Sequence, residues 1–201
     1  TLDAGFELIG VQLEEGNRLL KDLVSILSSP VKIQAAEYLA RANAYLRDGF
    51  FEEAEEDFRT VTELDQGNYC AWYLIGLIRC QSAGDRDGAF TAFERCNRYS
   101  SVRSKYYYSR SLFQQALLYH RVDNAMEEAI ATLMLSIEAD TENYQSHFFV
   151  AELLAASGKL EEAAHHLRIC VYADAMYFLN SSSSKALVNS RVHDLFFNKQ
   201  V

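Results

Sequence analysis

The sequence is short of the residues that break helices and of those that build sheets. It has one proline and nine glycines in 201 residues, so few positions are barred from helix or free for left-handed turns. It lacks a long alternating run of Val, Ile and Thr, which leaves strands little to be made from. No apolar run approaches the roughly 20 residues a membrane helix needs, and residues 1–3 open no basic-then-apolar leader. Basic charge is scarce as well. Nineteen Lys and Arg against 28 Asp and Glu give a formal net charge of −9, and because each phosphate contact asks for a cation, neither nucleic acid nor an anionic membrane is an expected partner. Nucleophile elbows (GxSxG), phosphate loops (GxxxxGK[ST]), dinucleotide loops (GxGxxG) and zinc-protease pairs (HExxH) are all missing, so no enzyme is expected.

Cysteine is sparse and scattered. Cys70, Cys80, Cys96 and Cys170 form no CxxC pair and no dense framework, which fits reduced thiols in a cytoplasmic protein. His166 and Cys170, one helical turn apart with His165 and Glu162 close by, are at most half a zinc site, and no metal or cofactor is expected. His120 and His147 read as packed or hydrogen-bonded helix residues. The chain opens on Thr1 rather than methionine, the expectation being a piece of a longer polypeptide.

What the sequence does contain is a repeat. Gly49 is followed five places on by Ala54, Gly84 by Ala89, Asn124 by Ala129 and Gly158 by Ala163. Four residues beyond each alanine stands a large apolar residue, Phe58, Phe93, Leu133 or Leu167, and three further on a small one, Val61, Cys96, Ser136 or Cys170. That spacing puts small and large side chains on one helical face. Upstream of each turn a second pattern runs at helical spacing: Tyr38 with Ala42 and Tyr45, Trp72 with Gly76, Phe113 with Ala116, and His147 with Ala151 and Leu154. Two helices joined by a Gly or Asn turn make an antiparallel hairpin. Ser29 before Pro30, Asn68 and Asn143 are suited to helix N-termini, and the pairs Glu52/Glu53, Glu127/Glu128 and Glu161/Glu162 complement the positive ends of second helices rather than forming acid–base dyads.

These recurring turn residues and alanines resemble the tetratricopeptide repeat family over residues 35–174. The resemblance implies an all-α, right-handed superhelical stack of about four antiparallel helix pairs, at 35–68, 69–103, 104–143 and 144–177. The repeat domain is set at 30–174, between an N-terminal helix at 1–29 and a capping segment at 175–201. Several residues depart from the family pattern. Gln66, Thr141 and Ala175 stand where proline usually closes a repeat, Arg41 and Leu117 replace an apolar and a small residue, and the second turn has one extra residue. Residues 104–109 lengthen the first helix of the third repeat by more than a turn.

At the N-terminal end, Phe6, Ile9, Leu13, Leu20, Leu23 and Leu27 alternate steps of three and four, interrupted at Gly16. This coiled-coil-like seam is expected either to pair, with another copy to give a homo-oligomer or with an upstream domain, or to dock on the chain's own repeats. At the other end, a polar break at 181–184 precedes an expected capping helix at 185–198 with Leu187, Val188, Val192, Leu195 and Phe196 on its apolar spacing.

In the family, first helices line a concave groove that holds an extended or helical peptide. The lining expected here is Leu39, Asn43, Tyr73, Leu77, Gln114, Leu118, Phe148 and Glu152. It is mostly apolar and lacks the lysines of the chaperone-clamping members. The expected function is therefore non-enzymatic binding of a partner's peptide or helix. The alternative is a regulatory sensor in which the N-terminal helix occupies the groove until a peptide or small ligand displaces it. Tyr106, Tyr107 and Tyr108, beside Arg103, Lys105 and Arg110, form a second candidate surface.

Overall fold

The computed structural model describes residues 24, 29–81, 85–190 and 192–197, and the chain divides into two compact units, Thr1–Ala71 and Trp72–Val201. All regular structure among the described residues is α-helical, and none of these helices is long and apolar enough to cross a membrane. The seam residues Phe6, Ile9, Leu13, Leu20, Leu23 and Leu27 lie outside the described residues.

In the first unit α1 (Pro30–Asp48) packs antiparallel on α2 (Phe51–Leu64). Pro30 sits in the first turn, where its missing N–H has no intrahelical partner in any case. The Ser29 side chain makes no capping hydrogen bond. At the far end Gly49 adopts φ 85°, its N–H reaching Leu46 O and the next N–H reaching Tyr45 O, a left-handed closure that suits glycine. Ala35 and Ala42 on α1, and Ala54, Phe58 and Val61 on α2, are buried, which is the expected small–large packing. The departure at Arg41 is met by Asp57, a residue 5% exposed, through a bidentate pair with 2.5 and 2.6 Å contacts.

α3 (Tyr69–Gln81) carries the chain from the first unit into the second. Its N-terminus is held by Asn68, whose Oδ1 accepts from the Ala71 N–H at 3.0 Å. The second unit continues with α4 (Arg86–Ser100), α5 (Lys105–Arg121), α6 (Met126–Ala139), α7 (Tyr144–Ala156) and α8 (Leu160–Ala173). α5 packs on α4 and α6, and α7 on α6 and α8. Helix approach is set by small residues. A Cβ on Gly76 would meet the Phe93 ring at 2.5 Å, and Ala116, Ala151, Ala163 and Ala164 are buried around Leu133 and Leu167. Asn124 (φ 53°) and Gly158 (φ 82°) take the left-handed turn position, while Gly84 lies outside the described residues. The inserted turn is part of α5. Ser104 caps this helix, which runs 17 residues where α3 and α7 run 13.

Part of this interior is polar, and the groups around Asn143 satisfy one another. Ser109 and Ser136 exchange hydroxyl and carbonyl hydrogen bonds at 2.8 Å, Ser146 Oγ lies 2.8 Å from Ser136 Oγ, and Asn143 Nδ2 donates to Ser109 Oγ at 2.8 Å. Each hydroxyl thereby finds the partner that burial requires. The C-terminal segment differs from the single helix expected at 185–198. α9 (Met176–Ser181) comes first, and α10 (Lys185–Asn189) and α11 (Val192–Phe197) follow as separate short helices. At the interruption Ser190 Oγ donates to Leu187 O, a local bond of the kind that competes with helix continuation. α10 packs on α7 and α11 on α8. Leu187 and Val192 are fully buried in the core of the last hairpin, Leu195 is half-buried and Val188 is exposed.

Candidate functional site

First helices of successive hairpins stand side by side in the second unit, and their side chains tie the row together. Tyr73 on α3 packs its ring on Tyr107 of α5, with centroids 5.6 Å apart and the rings nearly perpendicular, and on Phe93 at 6.0 Å. Phe113 of α5 meets Phe149 of α7 edge to face at 6.2 Å. Phe148 of α7 lies against Tyr177 of α9 at 5.6 Å. Such pairs supply large apolar area with fixed orientation.

Arg110 sits in the middle of this row. Its Nη1 donates to Gln145 Oε1 of α7 at 2.6 Å, and its guanidinium carbon stands 5.3 Å from the Tyr106 ring centre. Burial pushes the Tyr73 hydroxyl above its ordinary pKa, while the Gln114 side chain and the Arg110 charge pull it back. The Tyr177 hydroxyl is raised by burial and by nearby Cys170 and Asp174, again with Arg110 opposing. One cation therefore acts on tyrosines of both α3 and α9.

Of the eight expected lining residues, Leu39 and Asn43 stand on α1 of the first unit. Leu39 is half-buried there, and Asn43 is exposed with its Nδ2 turned back to Leu39 O at 2.8 Å. Tyr73, Leu77, Gln114, Phe148 and Glu152 are half-buried in the second unit. Leu118 is only 8% exposed and clusters with Ala89, Phe93, Tyr73 and Leu77, so it supports the lining from beneath. Of the second expected surface, Tyr106 and Lys105 are exposed, and Lys105 pairs with Asp140 at 3.3 Å. Through Tyr107 and Arg110 this surface is continuous with Tyr73 and Gln114. Gln145 and Tyr177 are additions that the repeat spacing did not reveal. The signal for Tyr177 was the apolar run Met176 to Leu179, hidden by the serines after it.

His147, His166 and His120 are packed into the fold. His147 on α7 and His166 on α8 are buried, with their Nδ1 atoms 2.9 Å apart, so one ring donates and the other accepts. Burial lowers the pKa of His166 to about 4, with the neighbouring histidines adding to the effect. Burial lowers His147 as well, the Thr141 carbonyl partly offsetting it. His120 packs edge-on against Phe149 at 5.5 Å. The Cys170 thiol donates to Tyr144 O at 3.4 Å and is pushed by burial up to about 12, so it is neutral at ordinary pH. No group of three metal-ligating side chains gathers among the described residues.

Residues 38–68 match the family model of the tetratricopeptide repeat. No curated protein matches the sequence. Solved structures with this fold include MamA, at 12% identity and a TM-score of 0.64, covering 79% of this chain and 82% of that one. YrrB, described as a TPR protein with an unusual peptide-binding site, aligns at 15% identity and a TM-score of 0.59 over 88% of this chain and 93% of its own. PilW, a type IV pilus biogenesis factor, aligns at 16% identity and 0.61 over 92% and 86%. At these identities the likeness is one of fold.

Proposed function

Because the chain carries a tetratricopeptide repeat and has the fold of tetratricopeptide repeat proteins, we propose that it is a non-catalytic binding module. It takes a peptide or helix of another polypeptide on the first-helix face of its second unit. The observation that carries this reading is the aromatic row: Tyr73, Tyr106, Tyr107, Phe148 and Tyr177 come from four separate elements and remain only partly covered. Partly covered aromatics with polar tips are the side chains that concentrate binding energy in protein interfaces. Gln114, Gln145 and Glu152 supply hydrogen-bonding groups beside them. YrrB, with its peptide-binding site, has the same fold over most of both chains, which supports a peptide as the ligand class.

The test begins with selection of binders from a displayed random-peptide library on the full chain. Affinities for Phe148→Ala and Leu77→Glu are then measured by calorimetry, with far-UV circular dichroism as the fold control. A loss of about tenfold or more in each variant, with helicity unchanged, is the expected result. Unchanged affinity in both variants would remove this face as the site.

A further inference from the structure

Arg110 is a cation with no carboxylate partner among the described residues. Among the described residues, Arg41, Arg79, Arg86 and Lys105 each pair with an aspartate, whereas the polar contact of Arg110 is the neutral amide of Gln145. It is half-buried, stacked over Tyr106, and its charge reaches Tyr73 and Tyr177. With Nη1 committed to Gln145, the other guanidinium N–H groups remain for a ligand. A guanidinium with spare, preoriented donors beside aromatic surface is matched by a planar carboxylate.

We infer that Arg110 receives an Asp or Glu side chain from within the partner segment, flanked by apolar residues. This rests on the peptide-docking reading above and names the chemistry of its ligand. An internal side chain fits better than a carboxyl terminus because aromatic and apolar surface continues on both sides of Arg110. Tyr73 and Leu77 lie toward α3, and Phe148 and Tyr177 toward α7 and α9. A chain that ended at Arg110 would leave one side uncovered. Most of the net charge of −9 acts weakly at Arg110, since charges beyond about 8 Å are largely screened at physiological salt.

The experiment uses the peptides selected on the wild-type chain. Each is compared with a twin in which its acidic residue is replaced by the matching amide, on wild type, Arg110→Gln and Arg110→Lys. The selected peptides are expected to share one acidic position between apolar ones. The amide twin should bind wild type about tenfold more weakly, and Arg110→Gln should bring acidic peptide and twin within about twofold of each other. Arg110→Lys keeps the charge and should retain part of the preference. If Arg110→Gln lacks wild-type helicity, the twin comparison on wild type and Arg110→Lys decides alone. Selected peptides without an acidic position, or twins that differ on Arg110→Gln as much as on wild type, overturn the inference. Peptides that depend on Phe148 but show no acidic preference remove the Arg110 assignment only. Peptides indifferent to Phe148→Ala and Leu77→Glu remove the docking face itself.

Discussion

Between α1 and α2 the polar contact is an ion pair, exposed Arg41 on buried Asp57, and between α5, α6 and α7 it is a buried net of hydroxyls around Asn143. The first hairpin matches the repeat model over residues 38–68; the later hairpins reach the same architecture with Ser109, Ser136, Ser146, His147 and His166 buried inside. What the two regions share is the ladder of small residues, Ala42 with Ala54 and Gly76 with Ala89, which lets helices approach. The contrast teaches that close approach carries the fold, while other interior positions turn polar, most of their groups finding partners and a few, such as Asn97 Oδ1 and His120 Nδ1, finding none among the described residues.

The sharpest way to break that comparison is to spoil the close approach itself. Gly76→Val places branched bulk where even a Cβ meets the Phe93 ring at 2.5 Å, and is expected to cost about 3 kcal/mol or more, read from the urea midpoint. Next is Asn143→Ala, which removes an N-terminal cap and the donor to Ser109 and Ser136 together. A loss of about 2 kcal/mol is expected in the same measurement.

Acid sharpens the contrast by acting on the second unit. The folded-state pKa values of His147 and His166 lie below the ordinary value. The unfolded chain therefore takes up protons first, near pH 6.5. Stability is fully present above that pH and falls as the pH drops toward about 4, the value for His166. Between pH 7 and pH 5 the expected loss is about 1–2 kcal/mol, and it should vanish in the His147→Leu/His166→Leu double variant. The smallest effect is expected in the first unit. Replacing Arg41 and Asp57 together by leucines should leave the melting temperature nearly unchanged, whereas Arg41→Leu alone, which strands the buried Asp57 carboxylate, should lower it.

The hairpins were legible because turn and alanine recur at a fixed spacing, and that spacing directly encodes helix contact. The lengthened α5 was legible for the same reason, as an insertion against the repeat. The break between α10 and α11 was not, because a serine can either continue a helix or bond back to it, and only the packing of Leu187 and Val192 decides. The candidate site was half legible. Tyr73, Leu77 and Phe148 follow from repeat position, but the meeting of Tyr107 with Tyr73 and of Arg110 with Gln145 joins residues 34 and 35 positions apart. No local pattern carries such a pairing. The His147–His166 contact is hidden in the same way, each histidine looking alone like an odd core substitution.

Side-chain NMR most directly tests whether a partner chain lies along the first helices of the second unit, through spectra of the tyrosine, phenylalanine, leucine and methionine groups recorded while a selected peptide is added. The second helices also expose apolar side chains, Met134 and Leu135 on α6 and Tyr172 on α8, so the two faces compete in one experiment. Shifts centred on Tyr73, Leu77, Phe148 and Tyr177 with Met134, Leu135 and Tyr172 unmoved are the expected result. Shifts centred on Met134, Leu135 and Tyr172, with the first group unmoved, would contradict it.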